Sequence, residues 1–152
     1  MHHEQVSPSF VEKVRQYPRF SIYLGFIFLI TLSDALLSYW TPIYIQDIVG
    51  SATVMGIILA VSSIVGLIAD TYLPQLIKKI NITKLMLFTA IFSVLFVLTI
   101  LSSQYIFTIL LLLIAVGFWG IYYELLAFTN AIFLTKVSNS ENRSSFWAIL
   151  YS

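Results

Sequence analysis

The chain contains no cysteine, which excludes disulfides, thiol catalysis and thiolate metal sites. Charge is scarce as well: Asp, Glu, Lys and Arg make up 10% of the 152 residues, where soluble domains carry roughly a quarter. Hydrophobic residues make up 59%, and the mean hydropathy is +0.93. A soluble protein of this size would lack the polar surface to cover such a core. The net charge of +1 gives no ground for nucleic-acid binding. His2 and His3 form an adjacent pair at a terminus, where no metal role is expected. The chain is not read as an enzyme, and no cofactor or metal site is expected.

What is present is apolar length. A membrane-crossing helix needs about 20 mostly apolar residues, and four segments meet that need: about 20–45, 54–76, 84–102 and 105–135. The polar breaks are Gln46–Ser51, Lys78–Asn81 and Ser102–Gln104. A last polar loop, Ser138–Arg143, precedes 146–152, which reads as the start of a fifth span. Residues 1–19 form a cytoplasmic segment, in which Ser7-Pro8-Ser9 followed by Phe10, Val11, Val14 and Tyr17 suits an interfacial helix. The fold class is therefore all-α, a polytopic transmembrane helical bundle with the lipid bilayer as its first partner.

The basic residues orient it. Lys13, Arg15 and Arg19 precede span one, Lys78, Lys79 and Lys84 flank the turn between spans two and three, and Lys136 and Arg143 follow span four. The other two loops carry none, so the basic side faces the cytoplasm with the N-terminus. The sequons at Asn81 and Asn142 fall on that same side and are read as chance matches.

Asp34 in the first span and Glu124 in the fourth lie far from the span ends. A charge at the bilayer centre costs about 2.5–3.5 kcal/mol even on the lenient insertion scale, so intramembrane acids point to function. Thr31, Asp34, Ser38 and Thr41 follow helical spacing and form one polar stripe. Gly117, Gly120, Glu124, Ala127 and Ala131 form a stripe of small residues around the other acid, a face suited to close packing or to a cavity. Counting along the helix, Asp34 is roughly 22 Å past Arg19 and Glu124 roughly 18 Å before Lys136, so both are expected near the midplane. Apart from Lys84, the first residue of the third, no Lys or Arg sits within these spans. Either acid is placed to exchange a proton or, ionised, to recognise a cation. Trp119, Tyr122 and Tyr123 lie close to Glu124 in sequence, where substrate stacking competes with core packing.

The stretch Gly66-Leu67-Ile68-Ala69-Asp70-Thr71-Tyr72-Leu73-Pro74-Gln75-Leu76-Ile77-Lys78-Lys79 resembles the signature loop of the major facilitator superfamily. Gly66, Ala69 and Asp70 fit that pattern. It departs from it at Thr71 and Leu73, and its basic pair, Lys78-Lys79, comes late. Gly50–Gly56 and Glu141–Phe146 are similar to that family's approaches to helices two and five. The resemblance implies secondary transport by alternating access, with helices one and four lining the cavity of a six-helix N-terminal half. It makes Asp34, Glu124, Thr31, Ser38, Thr41, Trp119 and Tyr123 candidates for binding a small-molecule substrate or coupling protons. It casts Gly66, Asp70, Lys78 and Lys79 as the signature loop. Family members have twelve spans, so the resemblance also implies an N-terminal portion that does not transport alone, its partner being the missing C-terminal helices of the same full-length transporter, in the plasma membrane. Two other readings are a complete four-helix dimeric drug/proton antiporter and a non-transporting membrane subunit.

Overall fold

The computed structural model describes residues 18–77, 81–105 and 108–137. They form four helices: α1 (Pro18–Val49), α2 (Ala52–Ile77), α3 (Ile82–Ser102) and α4 (Thr108–Val137). All four are long and apolar enough to cross a membrane. At 1.5 Å per residue even the shortest, the 21-residue α3, reaches the roughly 30 Å of a hydrocarbon core. The expected interfacial segment before Pro18, Lys78 and Lys79, and the fifth span at 146–152 lie outside the described residues.

The spans fall close to where hydropathy places them, with one change at the first break. Gln46 and Asp47 belong to α1, and the helix ends only at Gly50, whose φ is +67°. Glycine takes this left-handed conformation without steric cost and so serves as a C-cap. The Gly50 N–H donates to the Gln46 carbonyl at 2.8 Å. Ser51 opens the next helix: its hydroxyl accepts from the Val54 N–H at 3.4 Å, as an N-cap serine does. The loop thus shrinks to Gly50-Ser51. At α2 the helix runs through Pro74 to Ile77, as the span at 54–76 requires, so Gly66 and Asp70 of the signature-loop stretch lie within it.

Two compact units divide the chain, residues 1–43 and 44–152. The first unit's described part is the bulk of α1. In the second, α4 packs against both α2 and α3 and is the most covered of the spans. Toward α3, α4 presents large rings and one hydroxyl. Trp119 stacks on Phe96 with ring centroids 5.1 Å apart, and Phe118 meets Phe92 edge-on at 5.8 Å. Leu125 packs on Leu85. Thr89 and Thr129 approach to 3.4 Å, and each hydroxyl also donates to the carbonyl four residues back, Leu85 at 3.0 Å and Leu125 at 2.6 Å. Because both hydroxyls keep those local bonds, Thr89→Val is expected to cost about 0.6 kcal/mol, the average for interhelical polar contacts in membranes. Unfolding in detergent would measure it, and a loss several times larger would show that the threonine contact matters more than its geometry implies.

At the far end of α3, the Ile100 carbonyl accepts from the Ser103 N–H at 3.2 Å, the Ser103 hydroxyl at 2.7 Å and the Tyr44 hydroxyl at 3.2 Å. Carbonyls at helix ends lack intrahelical donors, and here they are satisfied within the turn. Leu67, Leu76, Leu87, Leu98 and Ile109 remain largely exposed, as side chains that meet lipid would be.

Candidate functional site

The α4 stripe expected from sequence turns toward α2. Gly117, Gly120 and Glu124 recur at three- and four-residue steps, so they share one face. Across from them lie Val65, Ser62 and Gly66. The crossing is close enough to exclude side chains at its centre. A Cβ placed on Gly120 would run into the Ser62 carbonyl oxygen and stand 3.1 Å from the Gly66 nitrogen. Glycine at 120 is therefore a condition of the approach, as in other small-residue helix contacts. A Cβ on Gly66 would sit 3.4 Å from Glu124 Oε1 and 3.7 Å from the Gly120 carbonyl. Its absence leaves the space in front of the carboxylate.

Beside this crossing, and sharing Ser62, Gly66 and Gly120 with it, lies an open cavity of about 510 Å³. From α2 come Ser62, Ser63, Gly66, Leu67 and Asp70, and from α4 come Gly120, Tyr123 and Glu124. Two carboxylates, two hydroxyl-bearing serines and a phenol thus face one space, and no Lys or Arg is among the lining residues. Asp70 and Glu124 line the same cavity, so they repel when both are ionised. Pro74 has no N–H to give the Asp70 carbonyl, which loses its normal helical donor. Counted along the helices, Asp70 lies roughly 10 Å before the end of α2 and Glu124 roughly 20 Å before the end of α4. The site is inside the spans rather than at their mouths.

Tyr123 is held from behind. Trp119 lies 5.6 Å from it and Tyr122 5.3 Å, both tilted, while Trp119 itself is pinned flat on Phe96. Such ring pairs contribute about 0.5–1.5 kcal/mol beyond their burial. Tyr123 thus faces the cavity from a rigid backing, whereas Trp119 and Tyr122 serve the core.

The sequence-expected residues separate accordingly. Glu124, Tyr123, Gly66 and Asp70 come together at the cavity. Thr31, Asp34, Ser38 and Thr41 lie along one helix of the first unit. Ser62 and Ser63 were not singled out from sequence, although Ser62, Gly66 and Asp70 recur every four residues and Ser63 falls beside them. That spacing puts small and polar groups on one helical face, and it was available to be read. Among the described residues no group of three or more His, Asp or Glu gathers as a metal site. Comparison with known proteins found no matching family, no matching characterised protein and no matching solved structure.

Proposed function

We infer that the protein is a secondary carrier that moves a small solute across the membrane by alternating access, coupled to protons, as members of the major facilitator superfamily do. The basic residues of its loops support a cytoplasmic N-terminus, and the plasma membrane is the expected location. One observation carries the reading: two carboxylates, Glu124 and Asp70, line an open cavity inside membrane-crossing helices, with no basic side chain among its lining. Acids at such depth are expensive and mark ion or substrate pathways. Carriers place their sites within the bundle, where helices part. Glu124 is the first candidate for the coupling group. Asp34, on its polar stripe with Thr31, Ser38 and Thr41, is the second.

On this reading, vesicles bearing these helices together with the C-terminal half test it directly. With the outside more acidic than the inside, solute-dependent proton entry should register on an internal pH dye and stop on addition of a protonophore. Solute uptake that is indifferent to the gradient would overturn the coupling. Asp34→Asn, run in parallel, separates the two acids: if it alone removes proton entry, the coupling group is Asp34 and the cavity serves the solute.

A further inference from the structure

The geometry points to a site for a monovalent organic cation, an amine or quaternary ammonium whose charge lies between Glu124 and Asp70 and whose carbon face rests on Tyr123. This rests on the carrier reading for what becomes of the ligand, but binding itself can be measured without transport.

Four features converge on it. First, the volume of about 510 Å³ lies within the 300–1,000 Å³ typical of small-molecule sites, and it is far larger than a bare ion needs. Second, the lining holds two carboxylates and no cation of its own, so a positive ligand would offset the repulsion between them. Third, a hard divalent metal takes six or more oxygen ligands in a closed shell, and no cluster of three or more ligating side chains forms among the described residues. Fourth, the one aromatic wall, Tyr123, is braced by Trp119 and Tyr122 at 5.6 and 5.3 Å. An aromatic face beside carboxylates is how quaternary ammonium groups are recognised, by cation–π attraction. The missing side chain at Gly66 keeps the approach to Glu124 Oε1 open. An anionic solute would meet two like charges here, and a purely apolar one would leave both acids without a partner.

Purified protein in nanodiscs, probed with radiolabelled choline, tests the site. Choline carries a permanent charge, so its binding cannot be confused with proton uptake. Saturable binding is expected, and 3,3-dimethylbutan-1-ol, the neutral carbon isostere, should fail to compete at tenfold excess. Glu124→Gln should weaken binding at least tenfold, and Tyr123→Leu about threefold to tenfold. Gly66→Ala, which adds one methyl in front of the carboxylate, should also weaken it. Asp47→Asn removes a carboxylate away from the cavity and should leave binding unchanged, with circular dichroism confirming that every variant is helical. Competition by the neutral isostere, displacement of choline by equimolar potassium, or undiminished binding in Glu124→Gln would each overturn the proposal. Choline binding without any gradient-driven uptake would leave the site standing and defeat the carrier reading. Proton-coupled uptake of another solute, with no choline binding, would do the reverse.

Discussion

Gly120→Ala is expected to open the α2–α4 crossing and to lower stability by about 3 kcal/mol, the upper part of the range for overpacking a close contact. The reason is that the added methyl meets backbone, the Ser62 carbonyl and the Gly66 nitrogen, and backbone cannot rotate aside as a side-chain tip can. Helices in lipid gain little from burying apolar surface against one another, so they depend on close approach. Strain and lost contact therefore act together. Two sibling substitutions set the scale. Gly117→Ala places its methyl 3.8 Å from Val65 Cγ2, an ordinary contact, and should be close to neutral. Gly56 has nothing within 4 Å, so Gly56→Ala should stabilise by about 0.5–1 kcal/mol through helix propensity alone. Unfolding titrations in mixed detergent, followed by circular dichroism, would rank the three. Gly120→Ala as stable as Gly117→Ala would mean the helices do not approach this closely.

Glu124→Gln should reduce proton-driven uptake to background while leaving the fold intact. The amide has nearly the shape of the carboxyl but cannot release a proton at any accessible pH. It also removes one of two like charges at the cavity, so stability should hold or rise. Loss of uptake with unchanged helical content would locate the defect in chemistry rather than assembly. In exchange assays without a gradient, a coupling role predicts that a solute able to bind without Glu124 still crosses. Wild-type acceleration of uptake by external acid, retained in full by Glu124→Gln, would remove Glu124 from the coupling role and turn attention to Asp34.

Much of the bundle could be read from the chain because the bilayer imposes a length. Four apolar stretches of the required span left few ways to place helices, and the positions agree to within a few residues. The Glu124 stripe was legible for a related reason: Gly117 and Gly120 at helical spacing have no purpose on a face that meets only lipid. What the chain did not disclose was the partner of that stripe. Asp70 was assigned to the signature loop by resemblance, although it also falls within the stretch 54–76 given to the second span, and α2 carries it. Once Asp70 is helical, Ser62 and Gly66 fall into line with it, and a second acid joins the first. Which helix faces which is a matter of tertiary contact, and periodicity within one helix carries no information about it. Gln46 and Asp47 show the same limit at smaller scale, since polar residues at the end of a span extend a helix as readily as they end one.

The cavity is built by helices that are not neighbours in the chain. In sequence, α3 stands between the Asp70 of α2 and the Gly120 of α4. Without α4, the acid on α2 has no cavity to face. The glycine contact is therefore the joint that brings the two acids, far apart in the chain, to one space.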